Sequence, residues 1–294
     1  IGVIKMEVRV LRYFIEVVQE RNISNAAKRL HISQPTLSRQ LMDLEKELGI
    51  TLFERGHRQI KLTQEGYYLY ERAQEITGLV DKTETDLQSQ KIISGTLDIG
   101  AGESTAIHPV MTVIGDIIKK YPDVKINLVS GDSDQIYQRL NNGTLDFGII
   151  MGPEKLLDYH SIRLPQKNIW GILVRKDHPI AEKEKITPED LKGVPIITSA
   201  QSKEQDVFRV WAGSLIDQYN FIGQYNLIFN ARLLAETGAC LALTYKNLIN
   251  ITGTGLVFRP LTPTVTDQNN LIWNKNRQLS NVAQFFLNRL KEGQ

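Results

Sequence analysis

The sequence predicts an α/β protein with a small, helix-rich N-terminal module. Its 294 residues are enough for two or three units, each with its own core. Within the first 62 residues, apolar side chains recur at helical spacing and are followed by two short alternating runs, which is typical of a winged helix-turn-helix. From about residue 95 onwards, predicted strands alternate with predicted helices, which is typical of an α/β domain.

The N-terminal module begins with a predicted helix from about Val8 to Glu20, because apolar side chains recur there every three or four residues. Ser24 is predicted to cap a second, short helix, and Ser33 a third. Pro35 falls in the first turn of the third helix, where backbone N–H groups have no helical partner. A helix, a three-residue turn and a helix together indicate a helix-turn-helix.

The third helix has an apolar and a polar face. Four leucines are predicted to face the core: Leu37, Leu41, Leu44 and Leu48. The opposite side carries mainly short polar and basic side chains near the helix N-terminus, and such groups can read base edges in the major groove of DNA. Those residues are Gln34, Pro35, Ser38, Arg39 and Met42. If this helix is considered alone, the alternative is that these residues form an ordinary solvent-exposed face with no role in DNA binding.

A hairpin is predicted after the third helix. Short alternating runs at residues 51–55 and 60–62 flank a glycine-containing turn, as in the wing of this kind of module. His57 and Arg58 at the tip are predicted to reach a minor groove or phosphates. Arg55 is better placed to contact the DNA backbone.

A long helix is predicted from Thr63, its N-cap, to about Ser89. Its apolar stripe has coiled-coil spacing and consists of Leu69, Ala73, Ile76, Val80, Thr83 and Leu87. The helix is too long to bury this stripe against the small module alone, so a second copy of the chain is predicted to cover it. Packing against its own C-terminal part is the alternative.

Two α/β lobes are predicted in the C-terminal part. The first alternates strands and helices at Leu97–Gly100, Ile107–Tyr121, Lys125–Val129, Asp134–Asn141 and Leu145–Met151. The second contains a strand at Ile169–Val174, a helix start at Thr187–Leu191, a strand at Ile196–Thr198 and a helix-strand unit at Ala231–Tyr245. The alternation predicts two lobes of the same class.

Candidate ligand-binding residues follow the predicted strands, because ligands of open α/β sheets bind beyond the carboxyl ends of strands and near helix N-termini. They are Gly102, Ser104, Thr105, Ser130, Thr198, Ser199, Gln201 and Asn230. For each one alone, a simple helix cap is the alternative. Glu103 and Asp132 lie beside these positions and would repel an anion unless they point away, so a ligand with an amine stays open.

Composition argues against several classes of protein. The single Cys240 allows no disulfide within one chain, and no apolar run is long enough to span a bilayer, so we expect a cytoplasmic protein. The five histidines lie in unrelated segments without metal-binding spacing, and we find no catalytic motif. We therefore expect no metal, no cofactor and no enzymatic activity.

Several motifs resemble those of the LysR-type transcriptional regulators. In the N-terminal module they are A-A-x-x-L from Ala26, S-Q-P-x-x-S from Ser33, L-E-x-x-L-G from Leu44, L-F-x-R from Leu52 and L-T-Q-E-G from Leu62. Farther along they are Y-P-D-V-K-I from Tyr121, L-N-N-G-T-L-D-F-G-I from Leu140, D-H-P-I-A from Asp177 and L-K-G-V-P-I from Leu191. The resemblance covers nearly the whole chain.

This resemblance implies how the chain is organised. It implies a DNA-binding winged helix-turn-helix at residues 6–62, a linker and dimerisation helix at 63–90 and an effector-binding domain at 91–294. The last resembles periplasmic solute-binding proteins (type 2), with lobe I at about 95–164 and 267–294 and lobe II at about 165–266. The segment that enters the major groove in this family corresponds to Ser33, Gln34, Pro35, Ser38 and Arg39.

The predicted function is transcription regulation, with operator binding or activation controlled by a small polar metabolite bound between the lobes. The predicted partners are double-stranded operator DNA, the small-molecule effector and further copies of the chain, as a dimer or a tetramer. A contact with RNA polymerase stays open. The alternatives are a solute-binding-fold enzyme fused to a DNA-binding head and an architectural DNA-binding protein that needs no effector.

One segment departs from the family pattern. Where the family usually reads A-G-x-G-I-A-x-L-P, this chain reads T-G-A-C-L-A-L-T-Y from Thr237. Cys240 thus stands in place of a glycine and Tyr245 in place of the proline. An added phenol near the cleft is expected to change the size of the effector that fits.

Overall fold

The computed structural model describes residues 6–54, 60–88, 93–151, 157–200 and 207–293, and only the backbone at 85–88 and 207. The chain forms two compact units, Ile1–Gln88 and Ser89–Gln294. Each unit has its own buried apolar clusters.

The described residues of the N-terminal unit form four helices and one short strand pairing. The helices are α1 (Val8–Glu20), α2 (Ile23–Arg29), α3 (Gln34–Leu48) and α4 (Gln64–Gln88), and Phe53 pairs with Leu62 in antiparallel fashion between α3 and α4. The prediction for α1 is confirmed at both ends. The pairing lies where the hairpin was predicted, and the tip of that hairpin is outside the described residues.

Two predicted helix caps have different outcomes. Ser33 caps α3 as predicted, because its hydroxyl oxygen accepts a hydrogen bond from the Thr36 N–H at 3.3 Å. Ser24 does not cap α2. Asn22 has the extended backbone of an N-cap, and its side-chain oxygen accepts from the Asn25 N–H at 3.0 Å, so the helix begins at Ile23 and Ser24 lies inside it.

The core of this unit lies between α1, α3 and the start of α4. Phe14 is fully buried and lies 5.5 Å from the ring of Phe53, centroid to centroid. Leu37, Leu41 and Leu44 of α3 are buried, whereas the last leucine of the predicted apolar face, at position 48, is only half-buried. The buried leucines hold the opposite face of α3 towards solvent.

The apolar stripe of α4 is covered over its first half by the chain itself. Leu69 and Ala73 are buried in the core cluster that contains α1, and the Arg12 guanidinium of α1 contacts the Asp81 carboxylate at 2.6 Å. The prediction that this stripe needs a second copy is therefore wrong for that half. Farther along, Leu79 is 36% exposed and Thr83 is exposed.

Gly66 allows the start of α4 to approach the preceding segment. A Cβ atom at this position would lie 2.3 Å from the Leu52 carbonyl oxygen, far closer than any real contact. Close packing of α4 against this segment therefore explains why the L-T-Q-E-G motif ends in a glycine.

Within its described residues, the C-terminal unit contains a nine-stranded sheet. Its strands are β1 (Gly95–Ala101), β2 (Val124–Ser130), β3 (Phe147–Met151), β4 (Tyr159–Arg175), β5 (Pro195–Ser199), β6 (Asn220–Tyr225), β7 (Leu241–Tyr245), β8 (Leu256–Pro260) and β9 (Thr266–Asn274). Its α-helices are α5 (His108–Lys120), α6 (Ser133–Asn142), α7 (Val207–Ala212), α8 (Ile228–Glu236) and α9 (Asn281–Glu292). Short 3-10 helices occur at Thr105–Ile107, Pro179–Glu182, Pro188–Leu191 and Gly213–Gln218.

The strand order is β2-β1-β3-β9-β4-β7-β5-β6, with β8 paired to β4. The 17-residue β4 pairs with β9 up to Ile169 and then with β7 and β8 from Trp170 onwards. The sequence predicted a strand only at Ile169–Val174, so the proposed lobe boundary near residue 164 falls within a continuous strand. One apolar cluster surrounds Phe147 on the β3 side, and another surrounds Trp170 on the β7 side.

Candidate functional site

The N-terminus of α3 presents a polar face to solvent. Ser33, Gln34 and Pro35 are exposed, and Ser38 is half-buried. The Gln34 side-chain amide donates to the Ser38 hydroxyl oxygen at 2.8 Å. The Arg39 side chain is 84% exposed, and its guanidinium lies 4.0 Å from the Asp43 carboxylate.

The chemistry of this face suits the major groove. A glutamine amide can pair with adenine and a guanidinium with guanine, each through two hydrogen bonds. The exposed ion pair of Arg39 with Asp43 costs little to break, because solvent screens such pairs. The predicted wing residues Arg55, His57 and Arg58 lie outside the described residues.

A cavity of about 120 Å³ lies in the C-terminal unit, where several strands end. Gly102 after β1, Ser130 at the end of β2 and Ser199 at the end of β5 are in its wall. These three belong to the predicted ligand-binding residues. The wall also contains residues from β7 and from the segment between β6 and α8, so both lobes contribute to it.

Ser104 was predicted to bind a ligand, but it is buried and is not in the described wall of the cavity. Its hydroxyl donates to the Asn168 side-chain oxygen at 2.6 Å, and the Asn269 amide donates to the Ser104 oxygen at 2.9 Å. The Asn168 amide donates to the Asn269 oxygen at 3.0 Å, which closes a ring of three hydrogen bonds. Ser104 therefore joins the loop after β1 to the two long strands β4 and β9.

Three other predicted ligand-binding residues also lie outside the described wall of the cavity. Thr198 is buried within β5, and Thr105 is exposed at the start of a 3-10 helix. Asn230 was predicted to precede a helix, but it lies inside α8 and is exposed, because that helix begins at Ile228. Gln201 lies outside the described residues.

Two carboxylates of the wall occupy helix N-termini. Glu103 follows β1, and its side chain accepts a hydrogen bond at 2.8 Å from the N–H of Ile228, the first residue of α8. Asp132 caps α6 by accepting from the Gln135 N–H at 2.8 Å. Glu103 thus connects the β1 loop of one lobe to a helix of the other.

Comparison with known proteins covers both units. Residues 8–67 match the family described as bacterial regulatory helix-turn-helix protein, lysR family, and residues 91–294 match the LysR substrate binding domain. The chain belongs to the LysR family. It is thus a DNA-binding transcription regulator with an effector-binding domain, which confirms the predicted class and the prediction that it is not an enzyme.

Curated relatives of this LysR-family chain are regulators as well. The chain is 31% identical to the HTH-type transcriptional regulator AlsR of Bacillus subtilis, over 87% of this chain and 80% of AlsR. It is 29% identical to the Hca operon transcriptional activator HcaR of Escherichia coli, over 87% of each. The solved structure of full-length CbnR with its target DNA matches with a TM-score of 0.75 and 20% identity, over 98% of this chain and 100% of that chain, and so supports the fold.

The tyrosine that replaces the family's usual proline is part of the cavity wall. The Tyr245 hydroxyl donates to the Asp267 carboxylate at 2.7 Å, and the Trp170 indole N–H donates to the same oxygen at 2.5 Å. The two rings lie 4.1 Å apart, centroid to centroid. Sequence reasoning noted Tyr245 but missed Trp170 and Asp267, because strands distant in sequence bring the three together.

Asp267 is a buried carboxylate whose pKa is raised by burial, although the hydrogen bonds from Tyr245 and Trp170 oppose the rise. Burial and the neighbouring Asp267 charge raise the pKa of Tyr245 well above its usual value. Both pKa shifts have burial as their largest cause, so the Asp267 carboxyl and the Tyr245 hydroxyl form a poorly hydrated pair.

We expect the stability difference between Asp267→Asn and the parent to shift in favour of the variant as pH rises. The raised pKa means that the folded parent binds the proton more tightly than the unfolded chain. The parent therefore loses stability as pH rises from the ordinary carboxyl pKa of 3.8 through the folded value. Asparagine removes the charge and keeps an acceptor for both donors. Urea unfolding between pH 4 and neutral pH measures the difference.

Asp190→Asn is the control, because the contribution of Asp190 to stability is expected to change with pH in the opposite direction. Burial acts to raise the pKa of Asp190, but hydrogen bonds from Lys183 and Thr187 outweigh it and lower the pKa. Its contribution to stability is present above 3.8 and lost as pH falls through the folded value. We expect Asp190→Asn to be less stable than the parent at neutral pH. A pH-independent difference for Asp267→Asn would contradict the prediction.

Proposed function

We propose that this regulator reads its operator with the N-terminal face of α3 and responds to a small polar molecule bound in the cavity between β1, β2, β5 and β7. The DNA-binding part of this proposal rests on the exposed side chains of Gln34 and Arg39, on the face of α3 opposite its buried leucines. The same proposed surface includes Ser33, Pro35 and Ser38. We add to it the wing residues that the sequence predicts to contact DNA, which are Arg55, His57 and Arg58.

The cavity is proposed as the effector site because its wall combines both lobes. Glu103, Ser130 and Gly102 come from one lobe, and Ser199 and Tyr245 from the other. A molecule bound there contacts both lobes at once and therefore favours one lobe arrangement. An effector shifts the equilibrium between two arrangements only if it binds one of them better.

LysR-family regulators form oligomers, and we propose that this chain dimerises through the second half of α4. Leu79 and Thr83 are exposed there, and Val80 between them is half-buried. The C-terminal unit also exposes large apolar side chains, among them Phe221, Ile222, Phe229 and Leu233 on β6 and α8. Contacts through these residues would join dimers into the tetramer that the family resemblance suggests.

Genome-wide sequencing of the DNA fragments bound by the full-length protein tests this function. We expect discrete sites, each with two related half-sites about one helical turn or a multiple apart. Footprints on those sites, repeated with small polar metabolites of the adjacent genes' pathways, are expected to change in length or strength with at least one compound. Footprints that no such metabolite changes would support an architectural protein instead.

A further inference from the structure

One exposed apolar side chain lies among the polar residues of α3. Met42 is 66% exposed and lies outside the core cluster of this unit, whereas the residue before it, Leu41, is buried. A helix turns by about 100° per residue, which places Met42 about 130° from the middle of the leucine face and about 20° from Pro35. Met42 is therefore on the same side of α3 as Pro35 and Arg39.

The residues on this side of α3 have the spacing of a helix that reads DNA. Positions i, i+3, i+4 and i+7 are occupied by Pro35, Ser38, Arg39 and Met42. In the homeodomain, the helix that lies in the major groove contacts bases through side chains with the same spacing. Met42 is thus the fourth member of a row whose first three members are already part of the proposed DNA-binding surface.

The chemistry of methionine restricts what Met42 can contact on DNA. Its thioether has no hydrogen-bond donor and is only a weak acceptor, so it cannot form the bidentate pairs available to Gln34 and Arg39. It has no charge with which to bind phosphate. The apolar group that a base pair presents in the major groove is the C5 methyl of thymine. An unbranched, flexible side chain can adapt its shape to that group.

We propose that Met42 contacts a thymine methyl group of the operator and determines specificity at that base pair. Arg39 lies three residues earlier, about 4.5 Å along the helix axis, and neighbouring base pairs are about 3.4 Å apart. The thymine is therefore expected within about two base pairs of the base that Arg39 reads. This inference rests on the proposed DNA-reading role of α3 and adds a specificity-determining residue to it.

Replacement of thymine by deoxyuridine tests the proposal, because it removes only the C5 methyl group. The probe is an operator duplex identified by sequencing bound fragments, with each thymine replaced in turn. We expect one position in each half-site at which the full-length parent binds about fourfold more weakly, as burial of one methyl group predicts. Replacement in both half-sites is expected to weaken binding by about 16-fold, since well-separated positions contribute almost independently.

Met42→Ala is the variant that assigns this effect to Met42. It is expected to bind the unmodified operator about 16-fold more weakly than the parent and to lose sensitivity to deoxyuridine at the two positions. The salt dependence of its binding should equal that of the parent, because no charge is removed. The exposure of Met42 and the high helix propensity of alanine keep the fold intact.

Three further variants serve as controls. Met42→Leu keeps an apolar side chain of similar volume and is expected to keep the sensitivity to deoxyuridine. Met6→Ala removes a methionine that is 38% exposed and precedes α1, and it is expected to bind both duplexes like the parent. Arg39→Ala is expected to weaken operator binding but to retain the fourfold loss at each deoxyuridine, because a different side chain contacts the methyl group.

Three results would overturn the proposal. They are a parent protein that no deoxyuridine weakens, a Met42→Ala protein with unchanged operator affinity, and a Met42→Ala protein that still loses fourfold at the same positions. The last result would mean that the shape of the DNA accounts for the effect of the methyl group. Unchanged operator affinity of Arg39→Ala in the same titrations would instead contradict the proposed reading role of α3, so the two failures are distinguishable.

Discussion

Replacing Leu79 with glutamate is expected to break the α4 contact between copies, to lower the oligomeric state, and to weaken operator binding by about 100-fold or more. Leu79 is 36% exposed on the half of α4 that the chain's own core does not cover. A glutamate there would place two buried charges in a helix-helix contact between copies. Two linked DNA-binding modules bind about 10² to 10⁴ times more tightly than a single module, because of avidity. Separation of the two modules therefore accounts for the loss of affinity.

Sedimentation at micromolar concentration and titration of operator DNA measure the two effects of Leu79→Glu. Gln74→Glu is the matched control, because it adds the same charge at an exposed position of the same helix. Its partner, the Tyr70 hydroxyl, can donate to a carboxylate in place of accepting from the amide. We expect the control to keep the oligomeric state of the parent, with operator affinity within about twofold of the parent. A Leu79→Glu protein that keeps both the oligomeric state and the operator affinity of the parent would contradict dimerisation through α4.

Local signals predicted the helices of the N-terminal unit well. The ends of α1 follow from the spacing of apolar residues, and the Ser33 cap follows from the chemistry of one side chain. Two possible capping residues lie close together before and at the start of α2, however, and Asn22 rather than Ser24 caps this helix. The stripe of α4 was identified correctly, but a sequence pattern does not say which surface covers it.

The cavity wall could be predicted only in part, because long-range pairing decides it. Strand ends correctly indicated Gly102, Ser130 and Ser199. Ser104 has the same local signature, yet it is buried, and its hydroxyl bonds to partners that are 64 and 165 residues away in sequence. The length of β4 and its pairing with β9 have the same origin, since register between distant strands is not encoded in either strand alone.

Arg39→Ala is expected to weaken binding to the operator by about 5- to 150-fold and to relax the preference for operator over unrelated DNA. A bidentate pair with a base contributes about 1 to 3 kcal/mol of discrimination. The Arg39 side chain is 84% exposed and contacts Asp43 only at 4.0 Å, so its removal should leave the fold intact. Affinity for the operator and for a scrambled duplex, each measured at several salt concentrations, gives both quantities.

Lys46→Ala is the matched control for Arg39→Ala, because it removes the same charge from the last turn of α3, away from the proposed reading end. Loss of charge alone weakens binding to every sequence alike, and loss of a phosphate contact lowers the salt dependence by about one unit. We therefore expect Lys46→Ala to affect operator and scrambled DNA equally, while Arg39→Ala affects the operator more. Equal losses on both duplexes for Arg39→Ala would mean that Arg39 contacts the DNA backbone and that base recognition lies elsewhere on the module.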